Sequence, residues 1–241
     1  MANVREFLRR SDAIVGTYLD LKKILLIAKL GDRSKRIRHY LRTNSPRKLQ
    51  LGAGSSSLPG WLCTDLAPSS DAVVFLDATK PFPFESGVLD YIFSEHFIEH
   101  ISWHAGKFML MECHRVLKPG GIVRIATPDL AVLLDLYAST GSRGKEQYIK
   151  WITDSFLPGV SVYKPQFVIN NAFRNWGHQF LYDGELLELA LREAGFKDIT
   201  RCQYGESLHE HLRGIESHGK NVGSAEMAIY ETMVYEAKRP E

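Results

Sequence analysis

Short apolar runs that alternate with helical or loop segments constrain this chain more than any other feature. The runs are Leu49-Gln50-Leu51, Trp61-Leu62-Cys63-Thr64, residues 72–76, residues 88–93 and Ile122-Val123-Arg124-Ile125-Ala126. Each is short enough for a strand and too continuously apolar to have one face in water. Such runs separated by helices predict an α/β protein, with a mostly parallel sheet covered by helices on both faces. In sheets of this kind the functional groups collect beyond the carboxyl ends of the strands. On this reading Gly52, Asp65, Asp77, Ser94, Glu95, His96 and Asp129 all fall there.

The intervening segments carry helix signals. Ser102 is an expected N-cap for a helix over 102–117, with Ala105, Met109, Cys113 and Val116 on one face and Pro119-Gly120-Gly121 as its stop. Helices are expected over 130–138 and 145–156. Asp183 is expected to cap another, which buries Leu186, Leu187, Ala190, Leu191 and Ala194 and ends at Gly195. Residues 196–204 and 225–237 read as strands with no crossover helix between them, an antiparallel pair at the sheet edge. Residues 130–182 interrupt the strand rhythm. Their last part reads as irregular and mixes aromatic with polar side chains, as lids and substrate loops often do.

The N-terminal segment differs from the rest. Residues 1–48 hold 13 lysines and arginines against 4 carboxylates, while the chain as a whole has a net charge of only +2. Residues 1–47 are therefore read as a basic helical arm, with helices expected over 13–30 and 35–41, and residues 48–241 as the main body. Such an arm suits an anionic membrane surface or a protein partner, or packing on the acidic body itself. It lacks the interleaved aromatics of a base-stacking surface, so nucleic acid is not expected. The apolar piece at residues 24–28 is too short to cross a bilayer. Cys63, Cys113 and Cys202 are scattered and odd in number, and no cleavable leader is evident. A reducing, cytoplasmic setting is expected.

The run Leu51-Gly52-Ala53-Gly54 carries the clearest chemistry. Glycines at a strand end let backbone approach a nucleotide-like ligand, and Asp65 at the end of the next strand can accept hydrogen bonds from ribose hydroxyls. A dinucleotide loop needs a third glycine where Ser57 stands and a longer gap before the acidic residue. A P-loop needs Gly-Lys-Ser or Gly-Lys-Thr, which does not follow. A cofactor with one ribose and no pyrophosphate remains.

In order and spacing, Leu51-Gly52-Ala53-Gly54, Asp65, Asp77-Ala78-Thr79-Lys80-Pro81-Phe82-Pro83-Phe84, Leu89-Asp90-Tyr91-Ile92 and Arg115-Val116-Leu117-Lys118-Pro119-Gly120-Gly121 resemble the class I S-adenosylmethionine-dependent methyltransferases. The nearest likeness is to their type 11, small-molecule branch. Ser94-Glu95-His96-Phe97-Ile98-Glu99-His100 and Pro128-Asp129 resemble a bacterial subgroup linked to surface-polysaccharide or secondary pathways. The resemblance implies a Rossmann-like fold and S-adenosylmethionine as cofactor. It also implies a cofactor site of Leu51, Gly52, Ala53, Gly54, Asp65, Leu66, Asp77, Ala78, Ser94 and Glu95. Gln50 departs from it, because the family frequently has an acidic side chain there. The stretch from Gly52 to Gly60 is also short for a parallel crossover.

The resemblance implies a small-molecule acceptor, with a sugar hydroxyl as the expected target. For such a hydroxyl, His96 and then His178 are the candidate general bases. Tyr163, Asn171, Arg174 and Trp176 are the expected substrate-binding side chains. Two other readings stay open. One is a cofactor-binding partner or membrane-associated subunit without turnover. The other is a zinc hydrolase, since His96-Phe97-Ile98-Glu99-His100 matches a His-x-x-Glu-His metalloprotease pattern. No metal site is assigned.

Overall fold

The computed structural model describes residues 32–138 and 142–241. The chain divides into two units, 1–43 and 44–241. In the first, residues 32–43 are helical; the helix expected over 13–30 lies outside the described residues. No helix among the described residues is long and apolar enough to cross a membrane.

The second unit is built on seven strands: β1 (Lys48–Leu51), β2 (Leu62–Asp65), β3 (Val73–Phe75), β4 (Leu89–Glu95), β5 (Leu117–Pro128), β6 (Lys197–Cys202) and β7 (Thr232–Lys238). Their spatial order is β3-β2-β1-β4-β5-β7-β6. The first five strands run parallel, and β7 is antiparallel to both β5 and β6. This is a Rossmann-like α/β fold with an antiparallel C-terminal pair, as the apolar pattern predicts. The order places the ends of β1 and β4 side by side, because Leu51 pairs with Ser94. The glycine loop and the Glu95-His96 turn therefore emerge together.

Helix α1 (Trp103–Val116) starts where Ser102 caps it, with the Ala105 amide donating to Ser102 Oγ. It ends before Pro119-Gly120-Gly121, because Leu117 already pairs with Leu89 of β4. The expected stop signal thus lies inside β5, at the register shift. Helices α2 (Leu130–Ala138), α3 (Arg143–Phe156) and α4 (Pro165–Arg174) follow. The irregular stretch expected here is largely helix α4. Its Pro165 occupies the first helical turn, where the missing N–H costs nothing, so the proline starts the helix. These helices bury a core of their own: Leu133, Leu136, Tyr148, Ile149, Ile152, Val168 and Ala172 pack with Leu181 and Met227.

Helix α5 (Gly184–Glu193) is capped by Asp183, whose carboxylate accepts the Leu186 amide at 2.9 Å. It packs with α1. The expected strand over 225–237 is divided. Ser224 caps a helix, α7 (Ala225–Glu231), and only then does β7 begin. A short helix, α6 (His218–Asn221), precedes it.

The link between β1 and β2 contains no helix at all. The sheet face carrying Cys63, Phe93 and Ile122 is covered instead by Leu212 and Ile215, from the segment between β6 and β7. That segment therefore reaches the glycine loop, although it lies at the far end of the sequence.

Candidate active site

The glycine loop is shaped by β2. The Ala53 amide donates to the Thr64 carbonyl at 3.0 Å, and the Gly54 amide donates to Asp65 Oδ2 at 2.9 Å. Asp65 Oδ1 accepts the Ala67 amide at 2.8 Å. Each carboxylate oxygen keeps a further lone pair, so Asp65 holds the loop while still able to receive ribose hydroxyls. Gln50 takes over the work of the missing crossover helix. Its Nε2 donates to the Ser56 carbonyl at 2.8 Å, and its Oε1 accepts the Leu58 amide at 3.2 Å. An acidic side chain could make only the second of these bonds, which accounts for the amide at this position.

The two glycines serve different ends. A Cβ on Gly52 would lie 2.5 Å from the Phe97 ring, so the ring needs that glycine. Gly54, at φ +53°, faces open space. A ligand can therefore approach the backbone closely here, although the Gly54 amide and carbonyl are already bonded to Asp65 and Ser69.

A cavity of about 400 Å³ opens above the sheet. At one end it is lined by Gln50 and the 52–56 loop; at the other by Trp151, Phe156, Trp176 and His178. Of the expected cofactor residues, Gly52, Ala53, Gly54 and Glu95 line it. Leu51 and Ser94 are buried in the sheet, and the Ser94 hydroxyl has no partner. Asp65, exposed Leu66, Asp77 and Ala78 stand along the same strand-end edge, outside this cavity. Asp77 Oδ1 accepts the Thr79 amide and hydroxyl at 2.9 and 2.6 Å, folding its own turn.

Of the expected substrate residues, only Trp176 lines the cavity. The Tyr163 hydroxyl bonds Lys150 and Asp154 on the surface. Asn171 is buried and accepts from Asn175, and Arg174 is exposed. Sequence reasoning missed Trp151, Phe156, His218, Asn221 and Glu231, all of which line the cavity. His218 and Asn221 come from the segment between β6 and β7, whose route no local pattern announces. Glu95 explains how this segment is held: its carboxylate accepts the Ser217 amide and hydroxyl and the His218 amide at 2.9–3.1 Å. Asn221 Nδ2 donates to Ser56 Oγ at 3.0 Å, which ties the segment to the glycine loop.

The two candidate bases differ in what they have left to offer. His96 sits at φ +45°, with Nε2 2.9 Å from Thr232 Oγ1 and Nδ1 3.3 Å from Glu99 Oε1. Its ring lies flat on His218, with centroids 3.5 Å apart. Burial disfavours its charge, but Glu99 beside it outweighs burial and raises its pKa. Both nitrogens are thus engaged and the protonated form is favoured, a poor state for a base. His178 is the reverse. Its Nδ1 lies 2.7 Å from the Ala172 carbonyl, so that nitrogen carries the proton and Nε2 is left bare. Burial lowers its pKa, with Glu99 opposing.

The His96–Glu99 pair makes stability depend on pH. Burial raises and His96 lowers the Glu99 pKa, and the net shift is downward. The raised His96 value adds stability that is complete below the unfolded pKa of about 6.5 and is lost as pH rises through the folded value. The lowered Glu99 value adds stability that is complete above about 4.3 and is lost as pH falls through the folded value. The pair should therefore contribute most between those limits. Thermal melts are expected to show Tm falling above about pH 6.5, with a shallower fall in His96→Gln. Equal slopes in the two proteins would contradict the pairing.

Residues 49–125 match the Methyltransf_11 family model, described as a methyltransferase domain. Comparison with curated proteins gives no match. Solved structures with some likeness include a SAM-dependent methyltransferase from Archaeoglobus fulgidus, 15% identical over 87% of this chain and 94% of that one, with a TM-score of 0.46. Another, from Thermotoga maritima, is 15% identical over 83% and 87%, with a TM-score of 0.44. Phosphoethanolamine N-methyltransferase 2 of Haemonchus contortus is 16% identical over 88% of this chain and 53% of that one, with a TM-score of 0.43. The matched segment contains the glycine loop and Asp65, and it supports a methyltransferase. Its cofactor is S-adenosylmethionine, which supplies a methyl group activated on a sulfonium.

Proposed function

We propose that this methyltransferase acts on a hydroxyl of a small molecule, a sugar or related metabolite. The observation that carries the reading is the single cavity running from the glycine loop to a cluster of aromatic rings. At about 400 Å³ it has the size of a small-ligand site. Gly54 fits the nucleoside end through backbone without a Cβ, and Asp65, outside the cavity on the same strand-end edge, offers a carboxylate with unused lone pairs. At the other end Phe156 stands edge-on to both Trp151 and Trp176, at 5.3 Å in each case. Such rings suit the C–H faces of a sugar, while Asn221, Glu231 and His178 offer polar contacts at the wall.

Transfer to a hydroxyl needs help with the acceptor proton. His178 supports that role better than His96, because its Nε2 is uncommitted and its neutral form is favoured. The test is transfer of labelled methyl from S-adenosylmethionine to a panel of free and nucleotide-linked sugars, with phenols and amines beside them. Label on a sugar hydroxyl is expected, with turnover in His178→Ala lower by about 10²–10⁴-fold and cofactor affinity unchanged. Label on amines alone would overturn the hydroxyl reading. Cofactor binding without turnover on any acceptor would favour a non-catalytic partner.

A further inference from the structure

We propose that Glu99, His100 and His178 form a binding site for a divalent first-row transition-metal ion, at the acceptor end of the cavity. The inference rests on the methyltransferase reading and deepens it by replacing the base: with His178 Nε2 on the ion, the ion itself would activate the acceptor hydroxyl by polarising its oxygen and easing loss of its proton. One ligand atom from each residue lies within 4.8 Å of the other two. Ligands about 2.0–2.2 Å from a tetrahedral ion stand roughly 3.3 Å apart, so small side-chain rotations close the set.

Each member is prepared for this role. Glu99 is fully buried. Its Oε2 accepts the Thr127 hydroxyl at 3.0 Å, and its Oε1 lies 3.3 Å from His96 Nδ1. Buried carboxylates are paired or coordinate metals, and an ion here would share this carboxylate with His96. His178 has its Nδ1 proton fixed on the Ala172 carbonyl, which orients the ring and leaves Nε2 as a lone-pair donor. Metal-bound histidines are commonly held in this way. His100 and His178 meet edge to face at 4.9 Å, and both line the cavity.

The backbone brings the residues together before any ion arrives. The Gln179 and Phe180 amides both donate to the Glu99 carbonyl, at 2.7 and 3.2 Å, and Gln179 Nε2 donates to the His100 carbonyl at 2.7 Å. Trp176, at φ +59°, holds a backbone conformation rare for a bulky residue, and Gly177 follows at φ +80°. Strain of this kind is kept where surrounding contacts enforce it. Here the contacts press His178 onto the turn that carries Glu99 and His100.

The arrangement also corrects the His-x-x-Glu-His reading. That pattern needs two histidines on one α-helical face with the glutamate as base. Ile98–His100 is instead a 3₁₀ turn, and His96 precedes it in a left-handed conformation. The glutamate becomes a ligand, and the second histidine comes from residue 178. The neighbouring group of His96, His218 and Glu231 is committed elsewhere: His96 bonds Thr232, and Glu231 accepts the Tyr148 hydroxyl. Two imidazoles and one carboxylate select zinc or a similar borderline ion over magnesium or calcium.

The experiment titrates metal-stripped full-length protein with Zn²⁺ by calorimetry, with S-adenosylmethionine titrated separately. One Zn²⁺ per chain is expected. His100→Ala, His178→Ala and Glu99→Gln should each weaken it by about a hundredfold or more while melting cooperatively. Absence of Zn²⁺ binding in the wild type, or equal affinity in well-folded His100→Ala and His178→Ala, would overturn the site. Zn²⁺ binding at the three residues without S-adenosylmethionine binding would uphold the ion site and refute the methyltransferase reading instead.

Discussion

Arg124→Ala is expected to lower the free energy of unfolding by about 3–5 kcal/mol, the cost of breaking a buried ion pair from one side. Arg124 is fully buried in β5, directly opposite Glu236 of β7. Its Nη1 donates to Glu236 Oε1 at 2.6 Å and to the Glu206 carbonyl at 2.9 Å, and its Nε donates to Glu216 Oε1 at 2.6 Å. Burial already raises the Glu216 pKa against the pull of Arg124. Without the guanidinium, two buried carboxylates lose their counter-charge. The effect should extend to the cavity, since Glu206 and Glu216 belong to the segment that delivers His218 and Asn221. Urea unfolding followed by circular dichroism measures the loss. A decrease below about 1 kcal/mol would show that the segment is held by its apolar contacts alone.

The second large effect is expected from Asp65→Ala, which should weaken S-adenosylmethionine by about a hundredfold or more. Hydrogen bonds to a charged group contribute about 1.5–3 kcal/mol each, and about 1.4 kcal/mol is tenfold in affinity. The substitution removes the carboxylate proposed to accept the two ribose hydroxyls. It also frees the Gly54 and Ala67 amides, so the loop loses its shape along with its ligand contact. Asp65→Asn keeps one acceptor oxygen and should fall between the two. A change of less than about threefold in Asp65→Ala would place the ribose elsewhere.

The residues that were legible in the sequence are those whose signal is local. Near-continuous apolar runs marked the parallel strands, and Ser102 and Asp183 marked helix starts through caps that the structure confirms. The glycine loop and Asp65 were visible because a strand end and a carboxylate recur at fixed positions in such sheets. Helix α4 was hidden by Pro165, which ends a helix in mid-run but starts one at its first turn. Helix α7 was absorbed into the strand after it, because Ala225–Glu231 carries apolar residues on into β7. The covering of the sheet by the segment between β6 and β7 had no sequence signature. It depends on a missing helix between β1 and β2, and on Arg124, Glu216 and Glu236 meeting across distant parts of the chain. The same long-range assembly separated Tyr163, Asn171 and Arg174 from the cavity and brought Trp151, Phe156 and Glu231 to it.

The most direct test of the central claim is equilibrium dialysis of the full-length protein with labelled S-adenosylmethionine, followed by competition. One saturable site per chain is expected, displaced by S-adenosylhomocysteine and indifferent to NAD, since the loop suits one ribose and no pyrophosphate. The absence of saturable binding up to about 1 mM, or displacement by NAD as effective as by S-adenosylhomocysteine, would contradict the account.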